Sequence, residues 1–267
     1  MWNYCQTGTG RPLVLLHGIG MSQFVWSPVT PYLSTARRVI AFDTAGFGAS
    51  PALPKGTVPT VRNLVDELER SIQAIGIELP VDMAGNSLGG CMALEAARRG
   101  MARSVVAICP AGLWKKHPAP HVQYVFGAAR FLATGFPAFL KAAVRVPVLR
   151  EAVFAVPISR GSRRMPAEDA VRVVDELGRS PAFEATFDAT RSPFSGLDIT
   201  VPITVAFGER DYIITKRSQW RSGLPAHTRW HRIRGWGHVP MWVDPAGVAR
   251  LILNGTEKNE AAAGREG

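Results

Sequence analysis

Short, unbroken apolar runs recur along the chain, each closed by glycine, proline or aspartate. Pro12-Leu13-Val14-Leu15-Leu16 leads into His17-Gly18-Ile19-Gly20, and Arg38-Val39-Ile40-Ala41-Phe42 into Asp43 and the turn Ala45-Gly46-Phe47-Gly48. Val81-Asp82-Met83-Ala84, Ser104 to Cys109 and Ile203-Thr204-Val205-Ala206-Phe207 extend the strand rhythm, which returns once more, with a more polar composition, in Arg229-Trp230-His231-Arg232-Ile233. Such runs predict strands of a parallel sheet that is covered on both faces. Between them the period lengthens. Val61, Leu64, Val65, Leu68, Ile72 and Ile75 fall at helical spacing from Thr60 to Gly76, where Gly76 suits a C-terminal cap. Phe24 to Ala36 is long enough for a crossover helix starting near Ser27-Pro28. A further helix runs from the Gly85–Gly89 turn to about Arg99, and the last follows Asp244-Pro245 to about Leu253.

From 110 to 198 the rhythm changes. Prolines accumulate, strands vanish, and helical pieces are predicted at 122–133, 137–146, 166–177 and 181–190, with Pro166 and Pro181 at tolerated N-terminal positions. The expected fold class is therefore α/β: a mostly parallel sheet flanked by helices, interrupted by a helical insertion. The expected divisions are a core of 1–109 with 199–255, an insertion of 110–198, and a flexible tail of 256–267. In sheets of this kind, sites form at the carboxyl ends of the strands, so the loops opening at His17, Asp43, Gly85, Pro110, Gly208 and Arg234 are where chemistry is sought.

Composition narrows the class of function. With 46% hydrophobic and 19% charged residues over 267 positions, the chain is that of an ordinary packed protein. No apolar stretch approaches the roughly 18 residues of a membrane span, and the N-terminus lacks a secretory pattern. Three scattered cysteines, Cys5, Cys91 and Cys109, fit neither a disulfide framework nor metal spacing. A cytoplasmic protein without metal, cofactor or integral membrane segment is expected. The net charge of +10 comes from 31 basic residues, 25 of them Arg, placed singly or in pairs. Without like-charge runs or a nucleic-acid motif, this reads as a solvated basic surface and no nucleic-acid partner is expected.

Gly85-Asn86-Ser87-Leu88-Gly89 places a serine between glycines two before and two after, at a strand-to-helix turn. A side chain held at so sharp a turn leaves no room for bulk on either flank, and the helix start offers backbone N–H groups. A serine hydroxyl needs a base. Of six histidines, His238 in Gly235-Trp236-Gly237-His238 follows the last strand and opens onto the same edge as Ser87. His231 falls inside that strand and reads as structural, and His17 as the holder of its own loop. The base needs a carboxylate to fix its tautomer. Asp211 follows the preceding strand, with Glu209 a near rival and Asp43 and Asp244 weaker ones. The loop from Pro110 to Lys116 offers no acid, which strengthens Asp211. The order Ser87, Asp211, His238, with spacings of 124 and 27 residues, is that expected of this architecture. For the oxyanion, Leu88 N–H and Ile19 N–H are the candidate donors.

On the strength of His17-Gly18-Ile19-Gly20, Asp43 with Gly46-Phe47-Gly48-Ala49-Ser50, Gly85 to Gly90, Phe207-Gly208-Glu209-Arg210-Asp211 and Gly237-His238, the chain resembles the α/β-hydrolase family, in particular its lid-bearing members. The resemblance implies a serine hydrolase with the triad Ser87, Asp211 and His238 and no cofactor, with 110–198 as the cap. Only about a dozen residues precede Pro12, so the family's usual first strand is short or missing.

Serine at the elbow disfavours dehalogenase and epoxide-hydrolase chemistry, which the resemblance assigns to members with aspartate there. Hydrolysis of an ester or lactone with a small to medium hydrophobic acyl or aryl group is the leading reading. C–C hydrolysis of a ring-cleavage diketone by the same residues is the alternative. Cofactor-free perhydrolysis and a non-catalytic ligand-binding role are more distant ones. Phe126, Phe131, Phe136, Phe139 and Phe154 are expected mainly to pack the cap's own core, and Arg130, Arg145, Arg163 and Arg164 to be mostly solvated rather than anchoring a substrate carboxylate. Cys91 reads as a packed core thiol.

Overall fold

The computed structural model describes residues 1–257. Seven strands form one sheet: β1 (Tyr4–Thr7), β2 (Pro12–Leu16), β3 (Arg38–Phe42), β4 (Val81–Asn86), β5 (Ala102–Ile108), β6 (Ile203–Gly208) and β7 (Arg229–Ile233). They lie in the order β1-β3-β2-β4-β5-β6-β7, every neighbouring pair parallel except β1 with β3. The first strand is present but only four residues long. It is held on the edge by Tyr4 opposite Phe42 through Thr7 opposite Val39.

Strand side chains alternate between two cores. Val14 and Leu16 face one, with Val105 and Ala107; Leu13 and Leu15 face the other, with Val106 and Ile108. The first is covered by α2 (Val61–Ala74) and α3 (Leu88–Arg98), the second by α1 (Thr30–Leu33) and α9 (Pro245–Thr256). Helix α2 buries Leu64, Val65, Leu68 and Ile72, starts where Thr60 Oγ1 accepts the Asn63 N–H at 3.2 Å, and is followed by Gly76 at φ +71°. That left-handed turn is one glycine adopts at little cost.

Three expectations about elements need correction. The crossover between β2 and β3 is no continuous helix but a 3₁₀ turn, Gln23–Trp26, and the single turn α1, split by Pro28. The final helix continues to Thr256, which is buried and receives Arg37 Nη2 on its Oγ1 at 3.1 Å, so residue 256 is not tail. The rest of the expected tail lies outside the described residues, apart from Glu257. Between β5 and β6 lie α4 (Pro120–Gly135), α5 (Pro137–Arg145), α6 (Pro147–Phe154), α7 (Ala167–Arg179) and α8 (Phe183–Ala189). Of these, α6 has no counterpart in the expected pieces. Among the described residues no helix is long and apolar enough to cross a membrane.

Candidate active site

Strand β4 delivers the chain to Ser87 and α3 carries it away. Ser87 sits at φ 53°, ψ −114°, a conformation non-glycine residues rarely adopt. The flanking glycines answer a steric demand. A Cβ on Gly85 would lie 2.1 Å from Gly89 O, and one on Gly89 would lie 2.2 Å from Leu16 O. Strain at one residue, persisting because packed backbone surrounds it, is characteristic of functional turns.

The structure brings the three expected side chains together. His238 Nε2 is 3.0 Å from Ser87 Oγ, and His238 Nδ1 is 3.0 Å from Asp211 Oδ2. Asp211 Oδ1 accepts the N–H groups of Ile213 and Ile214, both at 2.8 Å. Burial works against ionising the Asp211 carboxyl. The adjoining His238, by charge and hydrogen bond, and the Ile214 N–H outweigh it, so the group is held below its ordinary value.

The rival acids face elsewhere. Asp43 accepts from Gln23 N, Ala49 N and Asn3 Nδ2; Asp244 caps α9 through Gly247 N and takes the Trp236 indole; Glu209 is exposed. His17 is fully buried, its Nε2 accepting the Thr44 N–H at 2.8 Å and its Nδ1 2.7 Å from Gly18 O. Desolvation lowers its pKa, against the opposing pull of the Gly18 carbonyl. A neutral imidazole clasped at both nitrogens holds the loop bearing Ile19. His231 does lie in β7, but its ring is exposed.

Ile19 N–H and Leu88 N–H have no acceptor among the described residues. Two cavities meet at Ser87; Ile19 borders both and Leu88 one of them. The larger, about 390 Å³, extends beneath α4, α6 and α7. Apart from Ser87, Asn86 and His238, the side chains lining it are apolar, among them Phe126, Leu140, Phe154 and Val174. The smaller, about 50 Å³, is bordered by Leu88, Trp114, Arg191 and Ser218.

Several supporting residues escaped the sequence reading. Asn86 Nδ2 donates to His238 O at 2.9 Å and to Ile108 O at 3.1 Å, tying the histidine loop to the sheet. From the insertion, Ile158 O accepts the Val239 N–H and Ser159 Oγ donates to Val239 O, each at 2.9 Å. Arg191 at the small cavity also went unread. The only available signal for Asn86 was its place beside the serine; the others had none.

Of the cap arginines considered, Arg130 pairs with Glu184 and Arg145 with Glu168, whereas Arg163 and Arg164 are exposed. The phenylalanine expectation needs correction: Phe131, Phe136 and Phe139 are exposed, and only Phe154 is buried, with Phe126 half-buried at the cavity. Cys91 is buried, and desolvation pushes its thiol up to about 12. The ligand-type atoms of Cys109, Asp211 and His238 lie within 4.8 Å of one another. Burial, and then the Asp211 charge, push the Cys109 thiol pKa well above its ordinary value. Hydrogen bonds engage all three groups: His238 links to Asp211, and Cys109 Sγ donates to Gly237 O at 3.6 Å.

The sequence pattern of the Alpha/beta hydrolase family matches residues 13–251. Over 207 residues, 73% of this chain and 94% of the relative, the chain is 32% identical to the Mycobacterium tuberculosis protein named "Epoxide hydrolase EphH". It is 27% identical to the "Pimeloyl-[acyl-carrier protein] methyl ester esterase" of Methylococcus capsulatus, over 92% of this chain and 94% of that one. The solved meta-cleavage product hydrolase of Pseudomonas fluorescens superposes with a TM-score of 0.73 at 21% identity, covering 94% of this chain and 92% of the other. That likeness is one of fold. With the pattern spanning the sheet from β2 to α9, the chain belongs to the alpha/beta hydrolase family and is a hydrolase.

Proposed function

We propose that the protein is a serine hydrolase that cleaves an ester or lactone of a small to medium hydrophobic acyl or aryl compound through an acyl-enzyme on Ser87. The observation that carries this reading is the Ser87–His238–Asp211 chain, with both links at 3.0 Å, opening on an apolar cavity of about 390 Å³. That volume is in the lower part of the roughly 300–1,000 Å³ range of ligand pockets. With few polar groups in the lining, an apolar substrate body is favoured over a heavily hydroxylated one.

The chemistry follows from the geometry. His238 Nε2 takes the hydroxyl proton as Ser87 Oγ attacks the acyl carbon, and the Asp211 carboxylate opposite Nδ1 stabilises the imidazolium. The free N–H groups of Ile19 and Leu88 receive the developing oxyanion; one such donor is typically worth about 3–4 kcal/mol of barrier. The alcohol leaves with the proton from His238, which then activates water to release the acid. In this reading residues 110–198 act as a cap that excludes bulk water from the reaction. The tuberculosis relative's name points to epoxides; an aspartate nucleophile would suit that reaction, and this chain has Ser87 at the turn.

The test is turnover of p-nitrophenyl esters from acetate to long chain, by wild type and Ser87→Ala side by side. Ester turnover that falls by about 10⁶ in the variant is the expected result. Activity that survives in Ser87→Ala overturns the nucleophile. No ester turnover, but Ser87-dependent cleavage of a vinylogous diketone, transfers the same residues to C–C hydrolysis. The 39% identity over 100 residues to a Pseudomonas putida protein named "2-hydroxy-6-oxo-2,4-heptadienoate hydrolase" favours that reading second.

A further inference from the structure

Nine of the fourteen exposed large apolar side chains among the described residues fall between Tyr124 and Val156. They are not scattered. Tyr124, Ala128 and Leu132 recur one turn apart on α4; Val148 and Ala152 do so on α6, with Val156 just beyond its end. Ala128, Leu132, Ala152 and Val156 are at once exposed and part of the cavity lining, so the cavity reaches the surface between these two helices. Outside that mouth, Phe131 and Phe136 lie with ring centroids 5.9 Å apart, and Phe139 and Val148 are 73% and 76% exposed. An apolar face surrounding a cavity mouth is costly in water and marks a contact surface.

Charge singles out the partner. From Lys115 to Arg164 there are nine Lys and Arg against one acid, Glu151, giving +8 of the chain's +10 within fifty residues. Three of these are matched by acids of α7 and α8: Arg130 with Glu184, Lys141 with Asp175 and Arg145 with Glu168. Arg150 is buried and donates to Val144 O. Lys115, Lys116, Arg160, Arg163 and Arg164 remain exposed with no acid within ion-pair distance among the described residues. Exposed aromatic and aliphatic side chains on short helices, together with unpaired Arg and Lys, are the chemistry that engages an anionic lipid surface.

We propose that the α4–α6 face docks on an anionic lipid bilayer, with the cavity mouth turned toward the lipid. The apolar side chains enter the headgroup boundary while the unpaired cations meet lipid phosphates. A substrate dissolved in the bilayer then reaches the cavity without crossing water. The surface makes no use of Ser87 chemistry, so its test stands or falls separately from the hydrolytic reading.

The experiment is co-sedimentation with vesicles of phosphatidylcholine, with and without phosphatidylglycerol. The wild type is expected to bind the phosphatidylglycerol vesicles at least about tenfold more tightly than phosphatidylcholine alone, and to be released by salt. Phe139→Ser with Val148→Ser, and separately Arg163→Gln with Arg164→Gln, are expected to weaken binding by about tenfold while turnover of a water-soluble substrate stays unchanged. Ser87→Ala protein should bind as wild type does. Absence of sedimentation with either vesicle overturns the proposal, as does binding indifferent to both double variants. A wild-type dimer in light scattering that Phe139→Ser with Val148→Ser dissociates also overturns it, because a second copy then covers the face.

Discussion

Strand β4 carries a buried polar network at each end, and the two behave as opposites. At its amino end, Asp82 Oδ1 receives Ser104 Oγ at 2.8 Å, while Oδ2 faces Arg11 Nε at 2.7 Å and Arg37 Nη1 at 3.2 Å. Both carboxylate oxygens are engaged by donors or cations. Five residues on, among the described residues Ser87 Oγ has one side-chain hydrogen-bond partner, His238, and the Leu88 and Ile19 N–H groups have no acceptor. The first network uses up the carboxylate's oxygens and ties β4 to β5 and to the segments bearing Arg11 and Arg37. The second retains hydrogen-bonding capacity aimed at an apolar cavity, which is how a site differs from a staple.

The largest expected effect sharpens that contrast. Asp211→Asn should lower kcat by about 10⁴, because an amide facing Nδ1 stabilises the wrong imidazole tautomer. Steady-state kinetics measure it, and a fall of less than tenfold would show that the carboxylate does not orient the base.

Next comes Asp82→Ala, which leaves the largely buried Arg37 without its counter-ion and should cost about 3–5 kcal/mol of stability. Denaturant unfolding reads the loss, and activity per folded molecule should stay within about twofold. If activity falls in parallel, the two ends of β4 are coupled and the contrast fails.

The smallest effect is one of pH. Since Asp211 is held below its ordinary value, its ionised form contributes stability fully above about pH 5. That contribution disappears as pH falls through the unfolded value near 3.9 and then the lower folded one. The Tm gap between wild type and Asp211→Asn should be flat from neutral pH to about pH 5 and narrow below it. A gap that widens toward acid would reverse the sign assigned to this carboxyl.

Much of the sheet was legible because a strand buried on both faces must be apolar throughout, as in β2, β3 and β6. The elbow was legible because steric exclusion writes glycine at fixed offsets. Helix α6, only eight residues long, was not: it is too short to show a clear period, and it opens on Pro147, tolerated in the first turn because its missing N–H costs nothing there. Periodicity places Phe131 and Phe139 on helices but says nothing of which face meets another layer. The Asn86 and Ser159 contacts join residues 152 and 80 positions apart, a separation at which local pattern carries no information.

The pairing of Ile158 and Ser159 with Val239 has a mechanical consequence. Because Val239 adjoins His238, this stretch of the insertion cannot serve as a hinge without displacing the base. A chimera that exchanges the insertion must keep 158–159 in register with the histidine loop. A graft cut across that seam would fold with a serine whose base has lost its alignment.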